Sequence, residues 1–408
     1  MLGDLVFLSP ITPASNGVGL AMRADRIVQA LRHHYRVHLR VVPIQEFEKG
    51  RGGVKYDGPC ASQERVCLEP SMLHRLRYWR HGELRRLSPE IDQALERSLP
   101  GVVPQAVFSF RHCLFQAGLN LRNRIARRAR LIVDLDEMES NTRTRLAELY
   151  ALRGDVGQAA RLRLQATFFR ERETQELRSA DQVWLCSEVE ADRLEAATGI
   201  RAAIVPNVVA LPVLSRSKTA AKEQEVGDGA RKSRLILFVG GLSYLPNFDA
   251  VEWMVERVLP VLGLAKGCPV QFRIVGKGKA RPMQKIAARR GVEWRGYVED
   301  LGAEYSESDL CVVPLRAGGG TRIKLLEALA HGLPVVSTEI GAEGLAFRDG
   351  RELAIADRAD EFAAACRRLL ESPAESESLA ERGRSAVGRD YGLEALDKAV
   401  SQALEGFA

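Results

Sequence analysis

The strongest constraint on the fold is an alternation of short apolar runs with longer amphipathic stretches, which occurs twice along the 408 residues. In the first half, apolar runs of strand length begin with LVFLS at 5–9 and end with AAIV at 202–205. Stretches with helical periodicity, such as 19–32 and 114–128, lie between most of them. Strands separated by helices are typical of βαβ units, which form a parallel sheet covered on both faces. The first half therefore predicts an α/β domain.

The alternation stops and then starts again. Residues 213–233 are small, charged or glycine, with no apolar period, as in an exposed linker. Beyond them RLILFVGG opens a second series of strands and helices. We predict an N-terminal Rossmann-like domain over 1–212, a linker over 213–233, a C-terminal Rossmann-like domain over 234–390 and a final helix over 391–408. Two parallel-sheet domains facing each other across a cleft are the expected architecture.

Composition excludes several classes of protein. With 46% hydrophobic and 27% charged residues, the chain is neither disordered nor collagen-like. It has no run of about 18 apolar residues, which predicts no membrane span. The opening MLGDLVFLSP lacks the basic start and long apolar run of a signal peptide. The seven cysteines form no CxxC pair or zinc-like cluster, so we expect buried thiols in a reducing, cytoplasmic compartment.

The positive charge is concentrated in the first half of the chain. Residues 1–212 hold 31 lysines and arginines against 25 aspartates and glutamates, so the whole excess of +6 lies there. This asymmetry indicates an anionic partner, such as a phosphorylated substrate or a membrane surface. The segment 71–87 combines five arginines with Trp79 and leucines at helical spacing. It predicts either an amphipathic helix on an anionic membrane or a helix packed on its own domain with a solvated basic face.

The segment with the clearest chemistry is DLCVVPLRAGGGTRIKLLEALAHGLPVVSTEIGAEGL, at 309–345. A predicted strand leads into three glycines at 318–320, and a helix is expected to begin directly at Thr321. Glycines let the backbone approach a ligand closely, and a helix start directs free N–H groups and a positive dipole end toward an anion. Arg322 and Lys324 add two cations. The expected ligand is a diphosphate.

The run GGGTRIKLLEALAHGLPVVSTEIGAEGL resembles the donor-binding signature of family 4 glycosyltransferases, which are retaining enzymes of the GT-B fold. Three further runs follow the order and spacing of that family's second domain: FVGGLSYLPNFDAVEWM, FRIVGKG and GVEWRGYVEDL. In the first domain, FRHCLFQAG and VDLDEMES resemble a subgroup of bacterial exopolysaccharide sugar transferases. The resemblance covers nearly the whole chain and is more specific in the second domain.

The resemblance implies a donor site and assigns its residues. The residues implied in donor binding are Gly17, Gly19, Gly240, Gly241, Asn247, Tyr297, Val298, Gly319, Gly320 and Thr321. The residues implied in catalysis are Glu327, Arg322 and Lys324, and His112 is added as a catalytic candidate because it follows a predicted strand. Tyr297 and Val298 would lie against the base, and Glu327 would accept hydrogen bonds from the ribose hydroxyls.

The sequence departs from the family pattern at two places. Many members carry two glutamates eight residues apart, and here Glu327 matches the second while Gly319 stands at the first. Many also carry an Arg and a Lys after the first strand of the second domain, where this chain reads GGLSYLPN. We expect Arg322 and Lys324 to supply the missing positive charge.

Polar residues also follow two predicted strands of the first domain. Arg111 and His112 come after AVFSF, and Asp134 and Asp136 end RLIVDLD. Because ligands bind at the carboxyl ends of strands in α/β sheets, Arg111, Asp134 and Asp136 are candidates for acceptor contact, and His112 for contact with the donor sugar or acceptor. The alternatives are a structural histidine, and carboxylates that order the next helix or lie solvated at a strand end. Metal binding by the two aspartates is disfavoured, because the phosphate site lies elsewhere in the sequence.

These features predict a retaining glycosyltransferase. Its first domain would bind a glycan, lipid-linked or small-molecule acceptor, and its second a nucleotide diphosphate sugar as co-substrate, with no cofactor, metal or nucleic acid. Amides and cations would stabilise the negative charge that grows on the departing diphosphate. Two alternatives stay open: a sugar-nucleotide epimerase, and a catalytically silent relative that acts as a nucleotide-sugar sensor or partner subunit. The expected location is the cytoplasm, with peripheral contact at the inner face of the membrane if 71–87 binds lipid.

Overall fold

The computed structural model describes six stretches of the chain: 3–15, 17–43, 55–66, 89–213, 233–264 and 268–405. The chain forms two compact units, of which the first is Met1–Val208 with Leu393–Ala408 and the second is Val209–Gly392. The predicted linker 213–233 lies almost wholly outside the described residues, so the predicted domain boundaries stay predictions. The segment 71–87 also lies outside them, and its membrane contact stays a prediction.

In the first unit, the described residues form a seven-stranded parallel sheet with strand order β3-β2-β1-β4-β5-β6-β7. Its strands are β1 Gly3–Ser9, β2 Tyr35–Val41, β3 Ser62–Arg65, β4 Ala106–Phe110, β5 Arg130–Asp136, β6 Gln182–Leu185 and β7 Ala203–Ile204. The helices between them are α1 Gly19–Leu31, α2 Pro89–Arg97, α3 Phe115–Ile125, α4 Glu139–Leu152, α5 Val156–Glu176 and α6 Glu188–Thr198, with short 3-10 turns at His112–Leu114 and Leu177–Ser179.

Both faces of this sheet are buried. Leu5 and Phe7 of β1 belong to one apolar cluster and Val6 and Leu8 to another, because successive side chains of a strand point to opposite faces. All four side chains are fully buried. Two covered faces explain why the strands read as continuous apolar runs rather than as alternating patterns.

The second unit repeats the design with a six-stranded parallel sheet among the described residues, in the order β10-β9-β8-β11-β12-β13. Its strands are β8 Arg234–Val239, β9 Val270–Val275, β10 Val292–Gly296, β11 Leu310–Val313, β12 Val335–Ser337 and β13 Ala354–Ile355. Its helices are α7 Leu245–Trp253, α8 Ala280–Ala287, α9 Leu301–Glu307, α10 Ile323–Ala330, α11 Glu339–Ala342, α12 Ala359–Glu371 and α13 Pro373–Asp390. The final helix, α14 Leu393–Glu405, belongs to the first unit, where Leu396 and Val400 join the cluster that contains Leu5.

The two sheets share the strand order 3-2-1-4-5-6, which is that of the Rossmann fold. The prediction of two Rossmann-like parallel-sheet domains is therefore confirmed. In each sheet the order reverses between the first and fourth strands, which are β1 and β4 in one unit and β8 and β11 in the other. Ligands of open α/β sheets bind outside the carboxyl ends of the strands at this reversal.

Local predictions were met in part. The helix expected to begin at Thr321 begins two residues later, so this prediction was wrong. Helices α4 and α5 are separated at Gly154, which has a left-handed φ of 81°, and Asp155 caps α5 by accepting from Gln158 N at 3.0 Å. Helix α7 ends at Trp253 and continues as a π-helical turn.

None of the helices in the described stretches combines the length and apolar character needed to cross a membrane.

A substitution at Gly276 tests how closely the loops after β9 and β8 pack. It follows β9 with a φ of 145°, and a Cβ there would lie 2.0 Å from the carbonyl oxygen of Gly240. We expect Gly276→Ala to lower the free energy of unfolding by about 2 kcal/mol or more, because backbone strain and the collision both act in the folded state. The measurement is urea unfolding of the full chain. Gly241→Ala is the control, since no atom lies within 4 Å of a Cβ built there; equal losses in both variants would contradict this account.

Candidate functional site

The two glycine-containing loops of the second domain meet where its strand order reverses. Gly240 follows β8 directly, and Lys324 lies on α10, which follows β11. A Cβ built on Gly240 would lie 2.7 Å from Lys324 Nζ and 3.0 Å from Asn247 Nδ2. Only glycine leaves room for this approach. The structure thus brings together three of the predicted site residues from distant parts of the chain.

Asn247 connects the two loops through both ends of its amide. Its Nδ2 donates to the carbonyl oxygen of Gly241 at 3.0 Å, and its Oδ1 accepts from Lys324 Nζ at 2.6 Å. Lys324 Nζ also lies 4.6 Å from the ring centroid of Phe238 on β8. The lysine ammonium is therefore held over the end of β8 by an amide and an aromatic face.

Arg322 lies at the N-cap of α10 and is only 7% exposed. Its Nη1 donates to the carbonyl oxygens of Gly319 and Gly320. Within the described part of the chain, its Nε and Nη2 are buried without a hydrogen-bond partner. An unsatisfied buried donor on a charged group costs free energy, and an oxyanion at this position would satisfy both atoms in the forked geometry that guanidinium prefers.

The later helix start changes how the glycine triplet works. Gly318 and Gly320 have left-handed φ values of 116° and 69°, so the loop makes an additional turn before α10. A Cβ on Gly318 would lie 3.4 Å from Arg322 Nη2. The glycines therefore fold the loop around the Arg322 side chain as well as exposing backbone. Thr321 lies in this loop, before the helix and not within it.

The loop is anchored to α7 by an ion pair. Arg316 donates from Nε and Nη2 to the two carboxylate oxygens of Asp249, at 2.9 and 2.7 Å. Asp249 is fully buried. Two parallel bonds fix both the distance and the orientation of the loop relative to α7.

Burial alters the charge state of the site. Burial, and next the positive charge of Arg322, lower the pKa of Lys324 to about 7. Burial raises the pKa of Glu327, one turn further along α10, although a hydrogen bond from Tyr305 and the charge of Lys324 oppose the rise. Tyr305 Oη donates to Glu327 Oε2 at 3.1 Å, and its ring stacks on His331 with centroids 4.9 Å apart. The free site is a desolvated cationic pocket with a positioned carboxyl group beside it.

The predicted base-binding residues follow β10. The Tyr297 side chain is 62% exposed, and Lys277 Nζ lies 4.8 Å from its ring centroid. Val298 is partly buried against the core of the domain. An exposed aromatic face next to a lysine is suited to a planar ligand, and the role of Tyr297 and Val298 stays a prediction.

In the first domain, Arg111 is enclosed by carboxylates at the carboxyl ends of β4 and β5. Its guanidinium lies 3.2 Å from Asp136, 3.3 Å from Glu137 and 2.6 Å from Glu139. Arg111 and Asp136 both have left-handed φ values, 72° and 60°. Such strain in non-glycine residues is typical of functional sites. Arg111 is 4% exposed, so its charge is neutralised within the domain.

Asp134 differs most from its predicted role as an acceptor contact. Its side chain is fully buried and lies 2.9 Å from Arg23 Nη2. Asn207 extends this pair, accepting from Arg23 Nη1 at 3.1 Å and donating to Asp136 Oδ1 at 3.2 Å. Asp134 therefore holds α1 and the end of β5 together and presents no surface to an acceptor. Asp136 keeps some side-chain exposure, at 17%. No group of three or more His, Cys, Asp or Glu among the described residues could hold a metal ion.

His112 is buried next to the same strand ends. Its Nε2 lies 3.2 Å from Glu176 Oε2, and the rings of Phe115 and Phe169 have centroids 6.2 and 6.3 Å away. It is 4% exposed. The contact of His112 with a sugar stays a prediction.

The loop before α1 carries the last two predicted residues. Gly17 is exposed with a left-handed φ of 98°, and Gly19 is the first residue of α1. Asn16 lies outside the described residues.

The sequence analysis missed several residues that shape these sites. Arg23 and Tyr305 lie outside the quoted motifs, and Lys277 and Arg316 lie inside quoted runs but were given no role. Arg23 gave one usable signal, since it lies on the apolar face of α1, where an arginine requires a buried partner. The partners of the others depend on loops that only the folded sheet brings together.

Lys324 generates a test that needs no ligand. In the unfolded chain a lysine keeps its proton to about pH 10.4, whereas folded Lys324 loses it near pH 7. Between these values the unfolded state binds more protons, so this group makes stability rise with pH. We expect the free energy of unfolding to rise less between pH 6 and pH 9 in Lys324→Met than in the unmodified chain. Urea unfolding at both pH values measures this, with the exposed Lys285→Met as control. An unchanged slope in Lys324→Met would refute the assignment.

The comparisons with known proteins agree with this geometry. A family model described as "Glycosyl transferases group 1" matches residues 233–372, which contain the whole site of the second domain. Alpha-D-kanosaminyltransferase of Streptomyces kanamyceticus is 27% identical over 188 residues, covering 43% of this chain and 47% of that protein. The chain spans only a third to a half of the length of the curated relatives it matches.

Solved structures match over nearly the full length. Sucrose-phosphate synthase of Thermosynechococcus elongatus has a TM-score of 0.73 at 16% identity, covering 99% of both chains. HepE of Anabaena, solved in complex with UDP and glucose, has a TM-score of 0.67 at 12% identity, covering 99% of this chain and 100% of that one.

These findings confirm the predicted resemblance to glycosyltransferases of the GT-B fold. The chain therefore has the GT-B fold, and its residues 233–372 match the family model described as "Glycosyl transferases group 1".

Proposed function

We propose that the protein is a retaining glycosyltransferase that moves a sugar from a nucleotide diphosphate donor to a glycan, lipid-linked or small-molecule acceptor. One observation carries the proposal: Lys324 meets Gly240 and Asn247 where the strand order of the second sheet reverses, and the buried Arg322 lies two residues before it. Two buried donors of Arg322 without a partner among the described residues, together with a desolvated lysine, favour a phosphate group as the ligand.

The relatives support a nucleotide sugar as donor. HepE was solved with UDP and glucose, and the relative from Streptomyces is named as a kanosaminyltransferase. Uridine diphosphate is therefore the first nucleotide to test.

The site acts on the leaving group. As the bond between sugar and phosphate breaks, negative charge grows on the diphosphate, and Arg322 Nε and Nη2, which have no partner among the described residues, would donate to it. Preorganised donors of this kind stabilise the transition state more than the ground state. Lys324 gains a proton more readily as the phosphate charge approaches, because an opposite charge raises a lysine pKa. Glu327, oriented by Tyr305, accepts from the ribose hydroxyls.

The retaining outcome and the acceptor rest on the family resemblance and on the first domain. Strained Arg111 and Asp136, with His112 beside them, lie at the carboxyl ends of strands, where α/β sheets bind ligands. We assign the acceptor and the donor sugar to this edge of the first domain.

The activity is tested in two steps. A thermal-shift screen with UDP, GDP, ADP, TDP and their sugars finds the donor, because binding to the folded state alone raises its stability. Proton NMR of the best donor with and without candidate acceptors then gives the product and its anomeric configuration. Slow release of nucleoside diphosphate and a product with the donor's configuration are expected. Interconversion of the intact donor would indicate an epimerase, and binding without turnover would indicate a sensor; either result would overturn the proposal.

The phosphate contacts predict the behaviour of a double variant. Arg322→Ala with Lys324→Ala should weaken nucleoside diphosphate binding by about tenfold or more per residue, since each lost charge-assisted bond costs roughly 1.5–3 kcal/mol. Binding of the nucleoside without phosphate should change little. Isothermal titration calorimetry measures both affinities, and equal diphosphate affinity in variant and parent would refute the contact.

Glu327 predicts a separate effect on turnover. Glu327→Gln keeps the shape of the side chain and removes its charge, so turnover should fall by about tenfold or more while the melting temperature stays close to the parent's. Tyr305→Phe is the matched variant, because it removes only the hydrogen bond that orients Glu327, and it should cause a smaller loss. A Glu327→Gln protein that melts earlier but turns over normally per folded molecule would show a purely structural role.

A further inference from the structure

The first domain has a concave surface at the edge of its sheet opposite to Arg111 and Asp136. It is a depression of about 840 Å³. The residues that line it include Tyr35, Gln105, Arg127, Arg128, Arg130 and Leu404.

The topology separates this depression from the strand ends described above. Tyr35 opens β2, Gln105 immediately precedes β4, and Arg130 opens β5. Because all strands of the sheet are parallel, these residues lie together at its amino edge. Arg111 and Asp136 lie at the carboxyl edge, where the Rossmann fold binds its usual ligands. The depression therefore lies apart from the predicted substrate sites of the first domain.

The depression is strongly cationic. Three arginines line it, and no aspartate or glutamate is among its described lining residues. Arg130 lies close enough to Tyr35 that its charge lowers the pKa of the phenol against the raising effect of burial. Arg127 and Arg128 are exposed.

Nearby carboxylates of the amino edge have partners of their own. Asp4 binds Arg36 at 2.7 Å and His38 at 2.8 Å. Asp181 lies 3.1 Å from Arg122 and accepts from the backbone N–H of Leu131. These two carboxylates are therefore engaged with groups that do not line the depression.

The other wall is apolar. Val103 is 71% exposed beside Pro104, and Leu404 reaches the depression from α14. An arginine cluster next to exposed apolar carbon fits a ligand that joins an anionic group to a less polar portion. Arginine binds phosphate oxygens in pairs, and a phosphate or pyrophosphate group can use more than one guanidinium at once.

We propose that the amino edge of the first sheet holds a second anion site, which binds a phosphate or pyrophosphate group attached to a less polar portion through Arg127, Arg128 and Arg130. This site is independent of the donor site in the second domain. Its three arginines belong to the basic half of the chain, residues 1–212.

Calorimetry with inorganic pyrophosphate tests the site in the full chain. Arg322→Ala with Lys324→Ala is the background, so that the second domain contributes little. In this background, Arg127→Gln with Arg128→Gln should weaken the remaining pyrophosphate binding by about tenfold or more. The control is Arg124→Gln with Arg201→Gln, which removes the same charge from exposed arginines of the same domain that pair with Glu96 and Glu195. Unchanged binding in the first pair, or an equal loss in the control, overturns the proposal.

A vesicle experiment distinguishes the two sources of the phosphate. Flotation of the same proteins uses phosphatidylcholine vesicles with and without phosphatidic acid. The site is assigned to a lipid headgroup if the protein binds anionic vesicles and pyrophosphate displaces it from them. The Arg127→Gln, Arg128→Gln variant should then lose vesicle binding, and the control variant should keep it. Pyrophosphate binding without this flotation assigns it to a soluble phosphate compound. If neither probe depends on Arg127 and Arg128, the proposal is wrong.

Discussion

The interaction on which the second domain's site depends is the contact between the loop after β8 and the start of α10. Gly240 lacks a side chain, and this absence allows Lys324 and Asn247 to lie against the end of β8. Asn247 then bonds the two loops to each other. The strand order places them side by side, because β8 and β11 are the neighbours between which the winding of the sheet reverses. A side chain at position 240 would displace the Lys324 ammonium and the Asn247 amide from the end of β8.

The buried arginines Arg23 and Arg111 of the first domain differ from Arg322 of the second. Arg23 and Arg111 are surrounded by carboxylates, and their charge is neutralised inside the domain. Arg322 donates to two carbonyl oxygens, and its Nε and Nη2 have no partner within the described residues. Removing water from a charge is costly unless a partner compensates. Carboxylates compensate Arg23 and Arg111, whereas an anion would compensate Arg322. This contrast is the physical reason for proposing that the second domain binds the diphosphate of the donor.

We propose ligand sites at both edges of the first sheet. Its carboxyl edge carries the strained residues Arg111 and Asp136, and its amino edge carries the arginine-lined depression near Tyr35. The C-terminal helix α14 belongs to this unit although the chain reaches it from the second, and Leu404 contributes to the depression. We propose a separate ligand for each of these two edges.

The sequence alone determined the α/β class and the repeat of the Rossmann pattern, and it predicted donor-site residues around the glycine triplet. These follow from local patterns. Apolar runs between amphipathic stretches indicate a covered parallel sheet, and consecutive glycines before a helix indicate a backbone that approaches a ligand closely. Only the tertiary structure decided that α10 begins at Ile323, that Asp134 forms a buried ion pair with Arg23, and that Tyr305 orients Glu327. Each of these depends on contacts between residues far apart in the chain, whose distances are set by the packing of loops and helices on the sheet. Periodicity identifies the elements, but it does not say which polar side chains will find partners when the elements pack.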